Sequence, residues 1–174
     1  MYALQQMGFT NLYGIEVAEQ SLTIAREELG KAVCLEVVDA FDFLRKYLQS
    51  FDVIILNDVL EHIPRDRTIE LLRLIHSSLR SGGLVSLRVP NMASLLASYS
   101  MYLDYTHVVG FTEFSLMQLL DIAGFEGHSR IPSRPKMILS LRNPLRMIKR
   151  LLRIAIYMAN FIMHVTLYAL RWQF

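Results

Sequence analysis

A doubly wound α/β fold with a mostly parallel sheet is predicted from three observations on this 174-residue sequence. Short apolar runs of strand length alternate with amphipathic runs of helix length from Asn11 to Gly127. The strand runs close repeatedly on acids or amides, at Glu16, Asp39, Asn57 and Asp58. Glycines stand where the helices should stop, at Gly30, Gly82-Gly83 and Gly124.

The elements follow in order. Leu12 to Val17 is a short apolar strand, and Ser21 to Leu29 is a helix stopped by Gly30. Val33 to Val38 is a second strand ending at Asp39, after which Ala40 to Leu48 carries apolar residues on a helical period. Phe51 to Leu56 is a nearly continuous apolar run, the pattern of a parallel strand buried on both faces, and it closes on Asn57-Asp58. Arg67 to Leu79 predicts a helix whose stripe is Ile69, Leu71, Leu72, Ile75 and Leu79, with Thr68 as a candidate cap. Ser81-Gly82-Gly83 then breaks the chain before a strand from Leu84 to Val89. Glu113 to Ala123 is the last helix of the body, and a weaker strand starts at Phe125.

Composition divides the chain in two. The sequence is 53% hydrophobic with a net charge of +2, but all 16 carboxylates lie at or before Glu126, beside nine Lys and Arg. The other nine basic residues, Arg130 to Arg171, face no acid. The expected organisation is a partial domain over 1–130 and a basic, apolar helical segment over 131–174. Arg146, Lys149, Arg150 and Arg153 share one helical face, and Ile154 to Leu170 has no formal charge apart from the titratable His164. Such a tail can lie in a membrane interface through residues 142–174, pack on the body or in a homodimer, or span a bilayer. Few aromatic platforms accompany its charges, so no nucleic-acid partner is expected. The single Cys34 excludes an internal disulfide framework, Met1 to Phe9 has no export-signal pattern, and a cytoplasmic location, peripheral to the inner face of the membrane, is the expectation.

In a doubly wound sheet, ligands bind beyond the carboxyl ends of the strands. A carboxylate at Glu16 offers two adjacent acceptors to a vicinal diol. Asp39 can accept from an adenine amino group while the amide of Ala40 donates to a ring nitrogen. Each acid can equally be a loop residue or helix cap. No spacing of metal ligands is visible, so no metal is expected from the sequence.

These residues resemble the class I S-adenosylmethionine-dependent methyltransferases, a Rossmann-like family, and within them the group acting on small molecules, glycans and lipids. The resemblance covers Asn11 to about Phe125. Gly14-Ile15-Glu16 is similar to the ribose-binding strand end and Val38-Asp39-Ala40 to the adenine-binding turn. Phe51 to His62 is similar to the fourth-strand motif, Leu79 to Leu84 to the start of the fifth strand, and His107 through Phe125 to the segment after it. The resemblance implies S-adenosylmethionine as cofactor, held by Glu16, Val17, Asp39, Ala40, Asn57 and Asp58. It implies methyl transfer to a small-molecule, glycan or lipid-linked acceptor, with His62 and His107 as candidate general bases near the sulfonium. The alternatives are that His62 orders the loop before Pro64, and that His107 is a lid residue bonded to Asp104. The family's opening strand and its Gly-x-Gly turn have no counterpart here, and Met1 to Gly8 resembles the helix that follows that turn. The sequence therefore reads as N-terminally truncated, with weak cofactor binding expected. The alternative function is a non-catalytic remnant or a partner-completed, membrane-associated subunit.

Overall fold

The computed structural model describes residues 1–30, 33–130 and 164–170, which form two compact units, Met1–Leu48 and Gln49–Phe174. The first unit contains α1 (Tyr2–Gln6), β1 (Leu12–Glu16), α2 (Glu19–Leu29), β2 (Val33–Val37) and α3 (Ala40–Lys46). β1 and β2 pair in parallel, with Gly14 opposite Leu35 and Glu16 opposite Val37. A Cβ at position 14 would lie 2.7 Å from Leu35 Cδ2, so a larger residue there needs the Leu35 side chain to shift. Leu22 of α2, Val33 of β2, and Phe41, Phe43 and Leu44 of α3 are buried.

The second unit contains β3 (Phe51–Asn57), a 3-10 turn (Leu60–His62), α4 (Arg65–Ser78), β4 (Leu79–Pro90), α5 (Ala97–Tyr102), α6 (Glu113–Ala123), β5 (Glu126–Arg130) and β6 (His164–Leu170). The strand order is β3-β4-β6-β5, with β3 parallel to β4 and β6 antiparallel to both of its neighbours. The α4 stripe supplies the centre of the core. Leu71, Leu72 and Ile75 are 0% exposed, and α4 packs on both α6 and β4. α6 contributes Leu116, Leu120 and Ala123. It opens with a reciprocal cap in which Thr112 Oγ1 accepts from the Ser115 amide and Ser115 Oγ from the Thr112 amide, an arrangement worth about 1 kcal/mol. α6 closes at Gly124, whose φ of 95° is in the left-handed region.

The predicted alternation of strands and helices is present, with four corrections. Thr68 does not cap α4. Pro64 is the N-cap, and Thr68 Oγ1, one turn in, donates to the Pro64 carbonyl at 3.1 Å. The glycine pair at 82–83 is not a break between helix and strand, because β4 already begins at Leu79 and the irregularity is absorbed as a register shift opposite Phe51 and Val53. β3 is not buried on both faces. Val53 and Ile55, two residues apart and so on one face of the strand, are 50% and 47% exposed.

The fourth correction concerns the tail. Residues 164–170, expected as the end of a helix, form β6, between β4 and β5. Val165, Thr166 and Tyr168 suit a strand, and the insertion satisfies the inner edges of β4 and β5 that would otherwise carry unpaired amides. Among the described residues no helix is long and apolar enough to cross a membrane. The basic helical face at Arg146 to Arg153 lies outside the described residues.

Candidate functional site

Parallel pairing brings the first two predicted site carboxylates to one end of one sheet. β1 ends at Glu16, and the Val38 amide, one residue before Asp39, donates to the Glu16 carbonyl at 3.0 Å. Glu16 Oε1 accepts from the amides of Val17 (2.9 Å) and Ala18 (3.2 Å), which holds the side chain half-buried. Asp39 Oδ1 accepts from the Phe41 amide at 2.8 Å and caps α3. Both readings of Asp39 are therefore compatible, since one oxygen caps while the carboxylate stays exposed. The amide of Ala40 heads α3 and has no intrahelical acceptor by its position. These donors and acceptors fit an adenosyl group, with the qualification that the Val17 amide is committed to Glu16. What Val17 presents is an apolar side chain, with the residue 69% exposed.

In the second unit Asn57 ends β3 and is exposed. Asp58 follows with a φ of 54°, donates its amide to the Arg88 carbonyl at 2.9 Å and pairs its carboxylate with the Arg88 guanidinium. That ion pair ties the end of β3 to β4, a structural role beside the proposed cofactor contact.

The turn after Asp58 assembles a cluster that sequence spacing did not reveal. Glu61 is 1% exposed, its carbonyl accepts from the amides of Val108 (2.9 Å) and Val109 (3.1 Å), and both carboxylate oxygens are buried with no hydrogen-bond partner among the described residues. His107 Nε2 lies 4.0 Å from Glu61 Oε1, and the rings of His62 and His107 stand 4.8 Å apart. His107 Nδ1 is 3.1 Å from the Ser100 carbonyl, which can only accept, so Nδ1 carries the proton. The same reasoning applies to His62. Its Nδ1 is 3.2 Å from the Thr106 carbonyl and 2.8 Å from Thr106 Oγ1, whose own proton goes to Asp104 Oδ1 at 2.7 Å. In their neutral forms both rings leave a lone pair on Nε2. The expected bond from the His107 ring to Asp104 is not formed. Only the His107 amide meets the Asp104 carbonyl, at 3.3 Å, while the Asp104 carboxylate serves Thr106. His62 does order a loop, the one carrying Thr106 and not the one before Pro64.

Burial raises the Glu61 carboxyl above its ordinary 4.5 and the charge of Asp58 adds to this, while its own backbone amide, His62 and His107 pull it back. Asp104 is lowered by its two hydrogen bonds from Thr106. A folded-state value raised above the unfolded one means that the contribution of Glu61 to stability is fully present below 4.5 and is lost as pH rises through the folded value. In chelator-containing buffer, Glu61→Gln, which has no such titration, is expected to be more stable than wild type at neutral pH. The gap in Tm should close as pH falls towards 4.5. A gap independent of pH would contradict the assignment.

Sequence reading missed Glu61, Ser100, Thr106 and Arg88. The 44 positions separating His62 from Thr106 left no local signal, whereas an acid inside the otherwise apolar Val59-Leu60-Glu61 turn could have flagged Glu61. His76 meets Phe125 edge-on at 5.0 Å, and His128 Nε2 lies 3.0 Å from Asp121 Oδ1.

A methyltransferase domain family matches residues 2–130. No curated protein matches the chain. Among solved structures, a SAM dependent methyltransferase from Archaeoglobus fulgidus superposes with a TM-score of 0.67 at 20% identity, covering 91% of this chain and 75% of that one. A complex between the Haloferax volcanii Trm112 methyltransferase activator and a putative methyltransferase gives 0.72 at 14% identity, covering 99% and 78%. The Burkholderia thailandensis 1,6-didemethyltoxoflavin-N1-methyltransferase, with its substrate and S-adenosylhomocysteine bound, gives 0.63 at 18% identity, covering 99% and 65%. With the family match spanning most of the described body and the fold shared with these enzymes, the chain belongs to the S-adenosylmethionine-dependent methyltransferase family.

Proposed function

We propose that this chain catalyses methyl transfer from S-adenosylmethionine to an oxygen or nitrogen of a small-molecule, glycan or lipid-linked acceptor. The observation that carries the reading is the placement of Glu16 and Asp39 at adjoining ends of two parallel strands within the region matched by the family. Glu16 binds the ribose diol, Asp39 and the Ala40 amide read the adenine edge, and Val17 packs on the base. Asn57 and Asp58 are assigned as cofactor contacts from the sequence resemblance. When bound, the cofactor supplies an electrophilic sulfonium methyl. The Nε2 lone pair of His62 or His107 accepts the proton that an acceptor hydroxyl or amine gives up.

The acceptor class is read from the tail. With 164–170 in the sheet, the apolar run left at 154–163 is about half of the roughly 20 residues a span needs. The basic residues before it in the sequence, Arg146 to Arg153, meet anionic headgroups and bring the body to a lipid-linked acceptor at the inner membrane face. The test is transfer of labelled methyl from S-adenosylmethionine into a cell extract, followed by phase partition. Label in the organic phase, lost in Glu16→Ala, is the expected result. Label in the aqueous phase alone would overturn the lipid-linked acceptor, and none in either phase would overturn the enzyme reading.

A second reading, a subunit completed by a partner, is favoured by two facts together. The sequence has no Gly-x-Gly turn, and among the described residues β1 pairs only with β2 and β3 only with β4. Under that reading, activity appears only when a copurifying protein is present.

A further inference from the structure

We infer that Glu61, His62 and His107 form a binding site for one divalent transition-metal cation of the zinc class, with a coordination position left open for an oxygen of the acceptor. One ligand atom from each residue lies within 4.8 Å of the others. The cluster contains three groups that accept and none that must donate. Both rings spend their N–H on Thr106 and the Ser100 carbonyl, which is how metal-bound histidines are oriented from behind. Glu61 supplies the independent argument. Its carboxylate is 1% exposed and unpartnered among the described residues, and it faces His107 Nε2 across 4.0 Å. A buried anion opposite an imidazole lone pair is unfavourable unless a positive charge lies between them. A cation satisfies all three acceptors at once.

The donor set selects the class. Two imidazoles with one carboxylate suit zinc, iron(II) or cobalt, whereas magnesium and calcium prefer oxygen-only shells. Zinc bonds of about 2.0–2.2 Å put ligand atoms roughly 3.4 Å apart, so the cluster must contract by about 1 Å. His62, half-buried in its short turn, is placed to move. Three protein ligands leave a fourth position, as in catalytic sites. The ion takes the His107 Nε2 lone pair that also serves the proposed general base, so metal and base are alternative occupants of one site. The three protein ligands are argued from the geometry of that site, and only the assignment of the open position to an acceptor oxygen rests on the methyl-transfer reading.

The test uses the full chain, stripped with chelator, titrated with zinc against a chromophoric competitor and counted by plasma mass spectrometry. One zinc per chain is expected, weakened at least about tenfold in Glu61→Gln and His107→Gln, and about 10–100-fold in Thr106→Val, which loses the hydroxyl behind His62. Excess magnesium should not compete. No saturable uptake by the wild type, or unchanged affinity in Glu61→Gln and His107→Gln, would overturn the site and leave a protonated Glu61 bonded to His107 as the explanation of the cluster. Should the variants not fold, X-ray absorption of the zinc-loaded wild type decides. Two imidazoles and oxygen are expected, and sulfur in the shell would place the ion at Cys34 instead. Because metal content is read and turnover is not, failure of this site and failure of the methyl-transfer reading remain distinguishable.

Discussion

Leu167→Pro is expected to abolish the cooperative thermal transition of the second unit. Leu167 lies in the middle of β6, opposite Leu87 of β4 on one side and Arg130 of β5 on the other. Proline there removes an amide from a strand with neighbours on both edges and forces its ring against the ladder. The carbonyl left unsatisfied costs about 1–3 kcal/mol, and the steric disruption adds to it. Together these approach the total stability of a small unit, about 5–15 kcal/mol. Ala169, two residues further along β6, is 0% exposed, so the strand is sealed against the core there and cannot peel away without opening it. A Tm unchanged from wild type would show that residues 164–170 are not part of the sheet.

Leu72→Ala should cost about 2–5 kcal/mol, read as a lower urea midpoint at unchanged m value. Leu72 is 0% exposed on α4, the helix that packs on both α6 and β4, and its neighbours Leu71 and Ile75 are equally buried. A cavity at that position has no solvent edge to collapse towards, which puts the cost in the upper part of the range. A loss of less than about 1 kcal/mol would mean that α4 does not centre the core.

These two residues mark the two ends of what the sequence makes legible. Leu72 belongs to a stripe with a clear helical period, and α4, α6 and the strands and helices from β1 to β3 follow from periodicity and glycine stops, with ends off by one or two residues, whereas β4 starts five residues early and α5 was not foreseen. Leu167 belongs to an uncharged run in which period-2 and period-3.6 patterns cannot be separated. Its strand identity comes from pairing with β4 and β5, far away in sequence. The same limit governs the site. Glu16, Asp39, Asn57 and Asp58 were visible because strand ends are local features. The Glu61 cluster was half visible, since His62 and His107 stand out as histidines, but the buried acid that joins them is defined only by long-range folding. The exposure of Val53 and Ile55 was hidden for a similar reason, because an apolar strand looks alike whether one of its faces or both are covered.

Amide NMR of the full chain titrated with S-adenosylhomocysteine tests the central claim most directly. The expected result is a saturable set of shifts at Glu16, Val17 and Ala18 and at Asp39, Ala40 and Phe41, lost in Glu16→Ala. Shifts absent from both strand ends at saturating ligand, or unaffected by Glu16→Ala, would contradict it.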